Sequence, residues 1–126
     1  MFTNLTAHEY NRYDFNGNLV QTVPPSGMVA RIINTRIVVD NTLDVPTVKL
    51  IPQSIELISR DAMLKRVENP ETTPFPAPQQ NTFFIVSDQV ANALAGTRSD
   101  LRVPDTDAAV LDPNGRIIGV PGFITK

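Results

Sequence analysis

The chain has no cysteine. That one absence excludes disulfides, a thiolate nucleophile and cysteine-ligated zinc, and it suits a reducing compartment. Histidine is nearly as scarce. With His8 alone, an all-histidine metal site is excluded, and a mixed site would need further ligands from scattered acids. The acids themselves form no close pair of the kind glycosidases or metal dyads use. No window approaches the roughly 20 apolar residues of a membrane span, and Met1-Phe2-Thr3-Asn4-Leu5-Thr6 has neither the basic run nor the apolar stretch of a secretory leader. Excess positive charge is missing too: 11 Lys and Arg against 13 Asp and Glu leave a formal net charge of −2, which gives no electrostatic case for holding a phosphate backbone. These absences predict a cytoplasmic protein with no membrane, nucleic-acid, metal or cofactor partner.

What is present is proline and β-branched sequence. At 126 residues the default is one domain spanning 1–126. A hydrophobic content of 41% with 19% charged residues rules out wholesale disorder. Eleven prolines limit long helices and central strands. Glu9 to Phe15 and Leu19 to Val23 flank Asn16-Gly17, a hairpin signal, and Pro24-Pro25-Ser26-Gly27 then turns the chain. Met28–Ile33, Arg36–Val39, Val45–Ile51 and Ser54–Ser59 read as short strands, with Pro46 and Pro52 as edges or breaks. Asp61–Val67 fits one or two helical turns or a strand continuation. The stretch from about 68 to 81, with Pro70, Pro74, Pro76 and Pro78, is an irregular proline-rich connection.

Thr82–Val86 is apolar on both faces, as a central strand must be. Ser87 follows as an N-cap and Asp88 favours the positive end of the helix dipole. Val90, Ala91, Leu94 and Ala95 share one face, and Gly96 ends the helix, predicted at about 88–95. Asp112-Pro113-Asn114-Gly115 joins a second hairpin through a type I turn. The expected fold is α+β and mainly antiparallel β, a small sheet, sandwich or barrel-like arrangement with one helix packed on it. Core candidates are Tyr10, Val29, Ile32, Val38, Phe84, Val86, Val90, Leu94, Val110 and Ile117.

Chemistry has few places to reside. His8 has a structural or surface role as its simpler reading and a general base or ligand contact as the other. Ser87 sits at a strand-to-helix turn, but Ile85 and Gln89 occupy the positions where a nucleophile elbow places glycines. An N-cap accounts for it, and an anion held at the helix start, opposed by Asp88, is the alternative. With Ser99–Val103 extended, Arg98, Asp100 and Arg102 share a face. They form either a surface ion-pair ladder or one wall of a pocket in which arginine grips an anion. Pro24-Pro25-Ser26-Gly27 lacks the lysine and the free N–H groups of a phosphate loop. No residue is assigned a catalytic role.

The order of these pieces carries a resemblance. Asn4-Leu5-Thr6-Ala7-His8 leads, then Val23-Pro24-Pro25-Ser26-Gly27 with Ala30-Arg31, Phe84-Ile85-Val86-Ser87 with Val90-Ala91, Arg98, Asp100-Leu101, Val103-Pro104-Asp105, and finally Asp112 with Gly115-Arg116-Ile117-Ile118-Gly119. The set is similar to a family of small proteins of bacteriophages, prophages and some bacterial genomes, for which no activity is established. Ser59 to Gln80 departs from that pattern, where a shorter connection precedes the second-half strand. The resemblance implies a viral setting and, within it, either counter-defence or particle building.

Three functional expectations follow. The first is a small non-enzymatic binding protein that sequesters a nucleotide-type host immune signal. In it Arg31, Arg98 and Arg102 grip phosphate, His8 or Tyr10 stacks on a base, and Ser87 and Asp100 complete the site. The second is a minor virion or assembly protein, with Asn69–Gln80 as a reaching arm and exposed edge strands as contacts. The third, least supported, is a small enzyme using His8. A site between subunits of a homo-oligomer is expected, since so small a domain has little concave surface alone.

Overall fold

Strand pairing follows the alternation of turn residues and β-branched runs along the chain. The computed structural model describes residues 1–126. Its strands are β1 (Phe2–Asn4), β2 (Tyr10–Tyr13), β3 (Leu19–Val23), β4 (Met28–Asp40), β5 (Thr47–Ser59), β6 (Thr73–Pro74), β7 (Phe83–Ile85), β8 (Leu101–Pro104), β9 (Val110–Leu111), β10 (Ile117–Gly119) and β11 (Phe123–Ile124). Helix α1 (Arg60–Leu64) follows β5 and helix α2 (Asp88–Ala93) follows β7. Five of the seven strand ladders are antiparallel, so the fold is α+β and mainly antiparallel β.

The core sheet has the order β1-β7-β8-β11. β7 lies between β1 and β8, parallel to both, and α2 supplies the crossover that a parallel β7–β8 pair requires. Flanked on both edges and covered on both faces, Phe84, Ile85 and Val86 are 2%, 0% and 0% exposed. Val90 and Ala91 of α2 pack with Phe84, Val86, Leu101 and Val103 in the main core, joined by Leu5 and Ala30. The Ser87 hydroxyl caps α2 by accepting from the Val90 N–H at 3.3 Å. The helix ends two residues before the predicted Ala95, because Leu94 has left helical geometry (φ −105°, ψ 8°) on the way to Gly96 at φ +80°.

Both short hairpins turn on the same chemistry. Asp14 Oδ1 accepts from Asn16 and Asn18 N–H, and Asp112 Oδ1 accepts from Asn114 and Arg116 N–H. In each, glycine at φ +80° is the fourth turn residue, so Asn16-Gly17 forms the end of a type I turn with a glycine bulge, not a two-residue loop.

The predicted breaks at Pro46 and Pro52 do not divide the second pair of strands. β4 and β5 run antiparallel over thirteen residues each. Pro46 precedes β5, and Pro52 lies opposite Asn34, where the register slips. The base of this ribbon joins the core through Val29, Ala30 and Ile58. Its outer half forms an arm over which nothing folds. Val38, expected in the core, is 61% exposed there, and Ile117 is 70% exposed on the β9–β10 hairpin. Both expectations fail for one reason: a two-stranded ribbon has no second layer to bury its apolar face. Val29, Phe84, Val86 and Val90 are buried as expected, while Tyr10, Ile32, Leu94 and Val110 are half-buried.

The proline-rich stretch is no free arm. β6 within it pairs with β5 at Glu56 and Leu57. Phe75 meets Phe84 edge-on with ring centroids 6.2 Å apart, and Arg98 Nη1 donates to the Pro76 carbonyl at 2.9 Å. No helix is long and apolar enough to cross a membrane.

Candidate functional site

The loop Leu5–Glu9 is built around Asn4, a polar side chain only 1% exposed. Asn4 Nδ2 donates to the carbonyls of His8 at 2.7 Å and Val23 at 3.2 Å. Its Oδ1 accepts from the backbone N–H and the hydroxyl of Thr6 at 3.0 and 2.7 Å. The Leu5 carbonyl accepts from Ala30 N–H of β4, and the Ala7 carbonyl accepts from Arg60 Nε of α1 at 2.8 Å. Every polar atom of Asn4 is used, so the loop is fixed on β3, β4 and α1 at once. It holds the His8 side chain out toward solvent.

Between this loop, the inner half of β4 and the start of α2 lies a cleft of about 500 Å³. It brings together four residues singled out from sequence: His8, Tyr10, Arg31 and Ser87. Its floor is apolar, with Leu5, Val29 and Val90, and Asn34 and Gln89 add amides at the rim. Arg31 is exposed and takes no part in the three ion pairs, Asp61–Lys65, Arg98–Asp100 and Asp88–Lys126. A free guanidinium beside an apolar floor and an aromatic ring suits a flat ligand bearing an anionic group. Ser87 forms part of the wall, with its hydroxyl committed to the cap of a six-residue helix.

The other three predicted residues lie elsewhere. Arg98 and Asp100 do not form an exposed ladder with Arg102. They close a bidentate pair with Nε and Nη2 on the two carboxylate oxygens at 2.8 and 2.7 Å, and their side chains are 16% and 12% exposed. The hydrogen bond from Arg98 holds the Asp100 carboxyl below its usual range, against the opposing effect of burial. Arg98 also lies over the Phe75 ring at 5.1 Å, so it ties the proline-rich segment to the body. Arg102 donates to the carbonyls of Ser99 and Leu101 at 2.8 Å each and stacks over Phe83 at 4.0 Å. Arg98 has Nε, Nη1 and Nη2 all engaged, while Arg102 has Nη1 held by backbone carbonyls and its guanidinium laid over Phe83, away from the cleft.

Sequence reasoning missed two other cations. A groove of about 730 Å³ adjoins the cleft, shares Arg31, Ile32, Asn34 and Met63 with it, and carries Arg36 and Arg66. β4 lines it with residues of both parities, as the strong twist of a two-stranded ribbon allows. Arg66 reaches it just past α1 from a backbone at φ +52°. An isolated arginine in an irregular segment carries no periodic signal, so only the fold could place Arg66 in the groove that Arg31 also lines. No group of three His, Asp or Glu side chains is arranged to hold a metal ion. No protein-family model, curated protein or solved structure matches the chain.

Proposed function

We propose that the protein is a non-enzymatic binder of a small nucleotide-type ligand, held in the cleft between the Leu5–Glu9 loop and β4. The observation that carries this reading is the convergence of Tyr10, His8 and an unpaired Arg31 around one apolar floor. Tyr10 or His8 stacks on the base. Arg31 takes the phosphate, and Arg66 in the adjoining groove extends the positive end. Arg98, Asp100 and Arg102 are not part of this site. The resemblance to phage and prophage proteins supplies the context for the sharper form, sequestration of a nucleotide signal of host immunity inside the host cell.

Calorimetric titration with cyclic and linear adenine and guanine nucleotides tests the reading. One of them should bind with a Kd in the micromolar range or tighter, and Arg31→Ala should weaken it at least tenfold, about 1.4 kcal/mol. Absence of heat with every nucleotide would sink the sharper form.

A second reading, a minor virion or assembly component, draws support from the apolar side chains left open on the β4–β5 arm. Mass spectrometry of purified particles decides it, and absence of the protein from them excludes a permanent structural role.

A further inference from the structure

β4 is the edge strand of its sheet, whose order is β4-β5-β6. Its free side begins at Ala30, whose N–H donates to the Leu5 carbonyl. Along an antiparallel strand, residues alternate between bonding the partner strand and pointing away from it. Ile32, Asn34 and Arg36 therefore turn their N–H and C=O groups the same way as Ala30, and no backbone bond from outside the β4–β5 ladder reaches them. This edge runs beside the cleft and the adjoining groove, which share Arg31, Ile32 and Asn34. An uncovered strand edge is a template for another strand.

The charges beside the edge have one sign. Neither the cleft nor the groove has an Asp or Glu in its wall, whereas Arg31, Arg36 and Arg66 all stand there. All three are exposed and none takes part in an ion pair. Glu56, level with Arg31 on β5, forms no salt bridge with it. A row of main-chain donors and acceptors matches the backbone of an extended peptide, and unpaired guanidinium groups match carboxylates along it. A second copy's β4 has no acid between Met28 and Val39 to offer them. Arg31 and Arg36 differ by an odd number of residues, so they project from opposite faces of the strand. A strand laid antiparallel beside β4 meets Arg36 and Arg31 with its first and sixth residues, and Ile33 and Ile32 with its fourth and fifth.

We propose that the free edge of β4 from Ile32 to Arg36 docks an extended acidic peptide of another protein, added antiparallel as a further strand. Arg36 and Arg31 hold its first and sixth side chains, both carboxylates, and Arg66 adds to the positive wall. The inference does not rest on the nucleotide reading, with which it competes for Arg31.

Fluorescence anisotropy of a labelled, end-capped peptide, Glu-Thr-Thr-Val-Val-Glu, tests this on the full chain. It should bind with a Kd of about 100 μM or tighter. Lys-Thr-Thr-Val-Val-Lys should bind about tenfold more weakly or worse, and Arg31→Glu with Arg36→Glu should reverse that order. Main-chain pairing is read by N-methylation of the acidic peptide. Methylating the third and fifth nitrogens, which face Asn34 and Ile32, should abolish binding. Methylating the second and fourth, which point away from β4, should leave the Kd within about threefold. This series uses the wild-type chain, so it decides the point even where the arginine variant misfolds. No binding at about 1 mM protein, equal affinity for the lysine peptide, or equal loss from methylation at either set of nitrogens overturns the proposal. Inorganic triphosphate that binds where the acidic peptide does not would give the arginines to a phosphate ligand and overturn it too.

Discussion

Asn4 carries more of the candidate site than any residue that faces the cleft. Its amide fills hydrogen bonds to His8 and Val23 carbonyls while its oxygen holds Thr6. Truncation removes the acceptor of the Thr6 N–H and a donor to the Val23 carbonyl, while the Thr6 hydroxyl keeps the His8 carbonyl, and each buried group left unsatisfied costs on the order of 1–3 kcal/mol. Asn4→Ala should therefore lower stability by about 2–4 kcal/mol, read from urea unfolding, and a loss under about 0.5 kcal/mol would show the network to be dispensable. Asp100 gives a pH-dependent counterpart. Arg98 holds its carboxyl low in the folded chain, so the unfolded chain binds the proton more readily. The stabilisation is present above the unfolded value of about 3.9 and is lost as pH falls through the lower folded value. Asp100→Asn should cost about 1–3 kcal/mol at neutral pH, and its deficit relative to wild type should narrow below about pH 4. A deficit that stays constant from pH 7 to pH 3 would assign the effect to packing.

Short elements here depend on their ends. Helix α2 has six residues, too few to stand by propensity alone, so the cap from Ser87 to Val90 N–H weighs heavily. Ser87→Ala should cost about 1 kcal/mol in thermal unfolding, and Ser87→Asp, which can still cap, should restore most of it. At the other hairpin, a Cβ added at Gly119 would meet the Asn11 carbonyl and the Tyr13 ring, where β10 leans on β2. This accounts physically for the second glycine of Gly115-Arg116-Ile117-Ile118-Gly119. Much of the fold was legible from the residues: the strand into a capped helix, the hairpins at Asn16-Gly17 and at Asp112-Pro113-Asn114-Gly115, and the mainly antiparallel class; of the seven residues singled out for a site, His8, Tyr10, Arg31 and Ser87 line one cleft. What was not legible depends on distance through space. Alternation reports which residues share a face but not whether a second layer covers it, so Val38 and Ile117 read as core. Charge spacing placed Arg98, Asp100 and Arg102 together without showing that Phe75, Phe83 and backbone carbonyls already occupy the two arginines.

Over the whole molecule, burial is graded. β7, β8 and the Val90–Ala91 face of α2 are buried, the Leu5–Glu9 loop is pinned by side chains, and the outer arm has solvent on both faces. Local opening free energies follow such gradients, so amide hydrogen exchange should be slowest at Phe84–Val86 and Leu101–Val103 and fastest from Ile37 to Ile51 in dilute protein.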